Sequence, residues 1–246
     1  MSDFMMSNVS LSRPLIITSP DEFKGFKTDL HCHTSEASFC AHENAVDTAK
    51  RYIADGYSTV VITNHFATYQ PKTGDYHQFV DMHFDAIEAV REAADGKLNV
   101  LAGAELNVYD YALDDFLAYG VTRELMHSME DFFSMKVQDI RKILNDNNCL
   151  FIKAHPMRYG MSMFAPEDVD GYEFYNGYPY WRHLNNAAKE WIYAVDADRK
   201  ILTAGTDHHN SDTPIKAGIL TDEAITSNDQ LIDILKNRKY DIFYEE

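Results

Sequence analysis

An α/β barrel is the fold this sequence predicts, and three observations predict it. Strand-like and helix-like segments alternate along the chain, the internal strand candidates number seven, and metal-competent side chains sit at the ends of five of them. Alternation of this kind argues for a parallel sheet with right-handed crossovers. In such sheets function gathers at the carboxyl ends of the strands. An open doubly wound sheet is the alternative architecture, although no glycine-rich loop of the dinucleotide or Walker type follows the first strand.

Residues 26–32 read as the first strand. Residues 43–55 follow as a helix, because Ala45, Val46, Ala49, Tyr52 and Ile53 recur at helical spacing and Gly56 stops the run. Residues 58–63 form a β-branched run typical of a buried parallel strand. A helix over 79–94 places Phe79, His83, Ile87 and Val90 near one face, and strands at 98–105 and 115–120 come next. Residues 130–147 are helical by the spacing of Phe133, Val137, Ile140 and Leu144. Strands at 150–154 and 172–176, a helix over 182–196 and a strand at 200–206 complete the alternation. A last helix over 227–236 has Ser227 or Asn228 as its N-cap, and a strand-like tail spans 240–244. Weak periodicity marks residues 1–25 as an extension to a single domain over 26–246.

With 246 residues, 45% of them hydrophobic, the chain is long enough for one sizeable core. A formal net charge of -17 argues against a nucleic-acid face, which needs clustered Lys and Arg. Three cysteines (Cys32, Cys40 and Cys149) without a CxxC pair imply no disulfide framework. Small buried apolar residues are the simpler reading of them, with a ligand role open for Cys32 and Cys40. No apolar run is long enough to span a bilayer and the start is not signal-like, so a cytoplasmic location without membrane association is the expectation.

The chemistry lies at the strand ends. His31 and His33 end the first strand and share a face because strand side chains alternate. His65 ends the second strand, Glu105 the third, His155 the fifth, and Asp207 with His209 the seventh. Each alone has an ordinary explanation: a hydrogen-bonded core histidine, a turn before proline, an N-cap aspartate. All must hold together to dismiss a metal site. Mixed imidazole and carboxylate donors suit Zn, Mn or Fe. Closely spaced ions of this kind clamp phosphoryl groups and lower the pKa of water, which points to hydrolysis, most naturally of a phosphate ester.

These residues resemble the PHP family, named for polymerase and histidinol phosphatase. Asp29-Leu30-His31-Cys32-His33-Thr34 resembles its opening motif, and Thr63-Asn64-His65 its Thr-Asp-His motif. Gly103-Ala104-Glu105, His155-Pro156 and Asp207-His208-His209 resemble its later motifs, in order, over about residues 26–220. The resemblance implies a distorted seven-stranded (β/α) barrel holding two or three divalent ions. By that analogy His31, His33, Glu105 and Asp207 hold one ion, Glu105 and His155 a second, and His65 and His209 a third. Asn64 departs from the usual aspartate. Gly120-Val121-Thr122 stands where a metal-binding histidine is common, with His127 a distant substitute. Glu36 and His42 are the candidates for a further ligand after the first motif, with Glu36 preferred for its place beside His33.

Arg158 and His208 are the candidate catalytic side chains, and Arg158 and Asn176 the candidate substrate contacts. An arginine fork suits phosphate oxygens, and a surface ion pair is the equal alternative for Arg158. Lys153 is either a structural charge or a site lysine. Tyr172-Glu173-Phe174-Tyr175-Asn176-Gly177 resembles a stretch of stand-alone family members, and Tyr175, Tyr178, Tyr180 and Trp181 line a pocket or belong to the core. The expected activity is a phosphoesterase acting on a small phosphorylated substrate. An amidohydrolase-type hydrolase and a non-catalytic metal-bound module are the rivals, and the oligomeric state is left open.

Overall fold

The computed structural model describes residues 12–67, 74–109, 113–162, 164–180, 182–195 and 199–245. In chain order the elements are β1 (Ile16–Ile17), β2 (Phe26–Cys32), α1 (Ala45–Ala54), β3 (Tyr57–Ile62), β4 (His65–Phe66), α2 (Tyr76–Ala94), β5 (Asn99–Tyr109) and β6 (Leu113–Tyr119). They continue with α3 (Arg123–Ser128), α4 (Val137–Asp146), β7 (Leu150–Lys153), β8 (Gly171–Asn176), α5 (Asn185–Ala194), β9 (Ile201–Gly205), β10 (Ala217–Thr221), α6 (Asn228–Asn237) and β11 (Asp241–Tyr244). Helix starts follow local chemistry. The side chains of Asn44, Asp75, Thr122 and Ser227 each accept a hydrogen bond from a backbone N–H in the first turn.

One sheet runs in the order β1-β11-β10-β2-β3-β5-β6-β7-β8-β9, with β4 on β5. Seven staves from β2 to β9 curl into a distorted barrel, and β9 returns to β2. There Cys32 pairs with His208, and His33 N–H donates to His208 O at 2.9 Å. Only glycine permits this approach at Gly205, where a Cβ would stand 2.4 Å from His31 Cβ. The edge of β2 away from β3 is therefore shared: Phe26 to Thr28 pair with β10, and the end of the strand meets the residues after β9. Strands buried on both faces, such as β7 from Leu150 to Ile152, read as the continuous apolar runs expected of an enclosed sheet.

The all-parallel expectation fails at one stave. β6 is antiparallel to both β5 and β7, with Asn107 opposite Asp115 and Gly103 opposite Tyr119. Only residues 110–112 separate β5 from β6, and a parallel crossover needs a dozen residues or more. Asp114 and Asp115 therefore lie at the mouth where the other strands end. Gly120-Val121-Thr122 lies at the opposite end, and Thr122 caps α3.

Other differences are local. The helix expected over 130–147 is broken into a 3-10 turn at Phe132–Ser134 and α4, because Met135 and Lys136 take extended backbone. The helix expected over 182–196 begins only at Asn185, after Leu184 in the left-handed region; its expected last residue, Asp196, lies outside the described residues. In the segment expected as an extension, Ile16 and Ile17 pair parallel with Ile242 and Phe243, and Phe23 packs edge-on against Phe243 at 4.8 Å. Among the described residues no helix is long and apolar enough to cross a membrane.

Candidate metal centre

The strand ends converge. Three ligand groups form at the mouth: His31, His33 and Glu105; Glu105, Asp115 and His155; and His33, His65 and His209, all buried. Glu105 stands at the centre. Its Oε2 lies 2.8 Å from His65 Nδ1, 3.4 Å from His33 Nε2 and 3.5 Å from His31 Nε2, while its Oε1 lies 3.0 Å from His155 Nε2. One carboxylate thus divides its two oxygens between two groups, the geometry of a bridge. Asp207 Oδ1 lies 3.2 Å from both His31 Nε2 and His33 Nε2 and joins the first group. Asp207 and His155 hold positive φ angles of 51° and 23°, a backbone cost for non-glycine residues that the surrounding structure must hold in place.

A layer of hydrogen bonds fixes which nitrogen each histidine presents. Glu173 Oε1 bonds His31 Nδ1 at 2.8 Å, so Nδ1 carries the proton and Nε2 turns a lone pair to the mouth. Its Oε2 accepts from His155 N–H at 2.8 Å and from Asn176 Nδ2 at 3.0 Å. Ser38 performs the same task for His33. The Ser38 hydroxyl donates to Asn64 Oδ1 at 3.0 Å, so its oxygen must accept from His33 Nδ1–H, also at 3.0 Å, leaving Nε2 bare. Asn64 Oδ1 also accepts from Thr34 N–H at 2.7 Å. Asparagine in place of the usual aspartate thus keeps an acceptor that supports His33 through Ser38.

The donor set fits divalent cations. His31 Nε2, His33 Nε2, Glu105 Oε2 and Asp207 Oδ1 are buried and make no hydrogen bond, yet they face one another. Buried lone pairs in that arrangement need protons or cations between them. Without metal, protons serve. Burial alone would lower His31 and His65, but Asp207, Glu173 and Glu105 raise His31 well above its ordinary value, and Glu105 does the same for His65. Burial would raise Glu105, but His65 and His31 hold it well below the usual carboxylate range. Burial and the neighbouring His209 and His65 push His33 well down. Metal must therefore displace protons from His31 and His65, so affinity is expected to rise with pH. Calorimetry in buffers of different ionisation enthalpy should show proton release on loading near pH 7; binding without proton release would contradict this.

The structure moves several expected roles. Because β6 runs backwards, Asp115 rather than Gly120-Val121-Thr122 reaches the mouth and groups with Glu105 and His155. Glu36 joins none of the three groups: its Oε1 accepts from Ala45 N–H at 2.9 Å at the start of α1, its Oε2 is buried without a hydrogen bond, and His42 is exposed. His208 faces away from the cluster, since Asp207 and His209 take the opposite side; its Nε2 bonds Glu43 and its ring meets Tyr52 edge-on. Asn176 donates to Glu173 Oε2 at 3.0 Å and to Asp207 Oδ2 at 3.2 Å and accepts from Tyr178 N–H, so its side chain is already engaged within the cluster. Lys153 is a buried structural charge, 3.1 Å from Asp114 Oδ1. His127 lies outside the mouth, beside His77 and Asp81.

Arg158 stands at the rim, its Nη1 3.6 Å from Asp115 Oδ2. Tyr178 packs its ring 5.0 Å from that of His209. Tyr175 stacks on Tyr244 at 3.9 Å, and Tyr180 donates to Asp212 at the surface. Trp181 lies outside the described residues. Cys40, for which the sequence left a ligand role open, has its Sγ 3.2 Å from His209 Nε2, and His183, to which the sequence gave no site role, has its ring 5.5 Å from that of His155. Neither ring nitrogen of His183 makes a hydrogen bond, and burial pushes it down to about 4, so it is neutral at pH 7.

A curled α/β barrel with imidazole and carboxylate donors sharing one bridging glutamate at its mouth defines a class of metal-centre protein. The PHP domain model matches residues 29–240, and the chain belongs to that family. Its fold is similar to a two-domain Bacteroides vulgatus protein containing a predicted PHP-like metal-dependent phosphoesterase, at 16% identity and a TM-score of 0.61 over 95% of this chain and 69% of that one. It is also similar to a Bifidobacterium adolescentis protein itself predicted to be a metal-dependent phosphoesterase, at 16% identity and a TM-score of 0.54 over 88% and 98%. An amidohydrolase from Chromobacterium violaceum with bound sulfate aligns at 12% identity and a TM-score of 0.51 over 76% and 88%. No curated protein matches the sequence.

Proposed function

We propose that this chain is a metal-dependent phosphoesterase acting on a small phosphorylated molecule. The observation that carries the reading is the sharing of Glu105 between two ligand groups directly beside the guanidinium of Arg158. Divalent ions held by His31, His33, Glu105, Asp207, His155 and Asp115 would neutralise a phosphoryl group and lower the pKa of water toward neutrality. The chain's own residues do the rest. Glu173 and Ser38 hold the histidine rings in the binding tautomer, and Asn176 holds Asp207. Arg158 is poised to exchange its Asp115 contact for phosphate oxygens, which suit its planar fork.

A cleft of about 380 Å³, a volume that suits a small molecule, is lined in part by His183, Lys216, Asn176, which bonds Asp207, and Tyr178, whose ring packs on His209. His183 brings one N–H to this wall as a donor for a bound ligand. The amidohydrolase reading lacks a metal-bridging lysine, because Lys153 is committed to Asp114.

The test is a screen of phosphomonoesters, phosphodiesters and nucleotides after reconstitution with Mn, Zn or Fe. Turnover is expected, and Arg158→Ala should raise KM about 10- to 100-fold, the worth of a charge-assisted hydrogen bond. No phosphoester turnover by fully loaded protein would overturn the proposal.

A further inference from the structure

Glu105 is not the last side chain that β5 turns to the mouth. The strand runs on to Tyr109, and alternation puts Asn107 on the same face two residues further along. Because β6 is antiparallel, Asn107 stands directly opposite Asp115. The two buried side chains meet there, and Asn107 Nδ2 donates to Asp115 Oδ1 at 2.6 Å. A carboxylate only accepts, so the amide must present its N–H₂ end to it. Asn107 Oδ1 is then left buried without a hydrogen bond, at a cost to stability. A residue kept for packing alone would be better apolar.

The contact divides the work of the Asp115 carboxylate. Asn107 anchors Oδ1. Oδ2 is turned to the ligand group, 3.7 Å from His155 Nε2, with Arg158 Nη1 3.6 Å away. The same device stands at the neighbouring group, where Asn176 Nδ2 holds Asp207 Oδ2 at 3.2 Å while Asp207 Oδ1 faces His31 and His33. A neutral amide orders a carboxylate without setting a positive charge beside an ion.

We propose that Asn107 is a positioning residue for the second metal position, acting through Asp115. It pins Oδ1 and leaves Oδ2 as one fixed donor beside Glu105 and His155. The proposal rests on the metal-centre reading and adds to it a residue on which one position depends and the other does not. The position of His31, His33 and Asp207 has its own supports in Glu173, Ser38 and Asn176.

Manganese(II) titrated into the metal-free full-length protein tests this, followed by electron paramagnetic resonance. In the wild type, ions that share Glu105 are expected to couple, and the coupled spectrum replaces the six-line spectrum of an isolated ion. Asn107→Leu should leave the first ion's affinity unchanged and weaken the second about 10- to 100-fold, the scale for losing the partner of a ligand. Asn107→Ala, which cannot overpack the site, should do the same. Asp115→Ala should weaken the second ion too. Adding Asn107→Leu to it should cost nothing more, because residues that act as one unit are not additive. Equal weakening of both ions, an unchanged second affinity, or a further loss in the double variant would overturn the role of Asn107 and leave the metal centre standing. No coupled pair in the wild type would overturn the paired centre and this proposal with it.

Discussion

Replacing Glu105 with Gln is expected to strip metal from two ligand groups at once and to lower turnover about 1000-fold or more. The geometry sets the size of the effect. Glu105 is fully buried, with one oxygen among His31, His33 and His65 and the other on His155. Glutamine keeps the shape but loses the charge and puts an N–H₂ donor where an acceptor is needed. Losing the Lewis-acid contribution to a phosphoryl transition state costs several kcal/mol, and about 4 kcal/mol corresponds to ~10³ in rate. Metal analysis of the purified variant, together with kcat/KM on a simple aryl phosphate turned over by the wild type, checks both parts. Wild-type metal content in Glu105→Gln would show that the bridge is misassigned.

Asp29→Ala is expected to cost about 3–5 kcal/mol of stability, the scale of a broken buried polar network. Asp29 is fully buried and never touches the mouth, yet it supports the mouth from below. It accepts from Tyr52 Oη at 2.5 Å, from His31 N–H at 3.0 Å, and from both the N–H at 3.0 Å and the hydroxyl of Thr206. Alanine leaves the N–H groups of His31 and Thr206 buried without their acceptor, and leaves the hydroxyls of Tyr52 and Thr206 only each other and His31 O. Because the Thr206 bonds hold β9 against β2, the seam that closes the barrel loosens with them. Urea unfolding of the metal-free protein measures the loss, and Asp29→Asn, which keeps acceptor oxygen and shape, should lose less. A change under 1 kcal/mol for Asp29→Ala would contradict the role given to this network.

Much of the site is legible in the chain because strand alternation and strand-end placement are local properties. His31, His33, His65, Glu105, His155, Asp207 and His209 all meet at one mouth for that reason. Alternation does not reach His208, read from the sequence as a catalytic candidate: it follows β9 after Asp207 at a positive φ of 51°, and its Nε2 bonds Glu43. Asp115 was hidden because residue pattern does not encode strand direction. The signal was the short link over 110–112, too brief for a parallel crossover. Glu173 could not be assigned its task from sequence, since its contact with His31 spans 142 positions. β10 was missed because its five-residue run contains Gly218, a weak strand former that is needed where a Cβ would lie 2.2 Å from Thr28 O.

Anomalous diffraction from crystals grown with zinc or manganese tests the central claim most directly. One peak is expected within His31, His33, Glu105 and Asp207, and a second within Glu105, Asp115 and His155, with an Asp115 oxygen about 2.0–2.2 Å from the zinc. No peak at this mouth, or a loaded second position with the Asp115 carboxylate turned away from it, would contradict this ligand assignment.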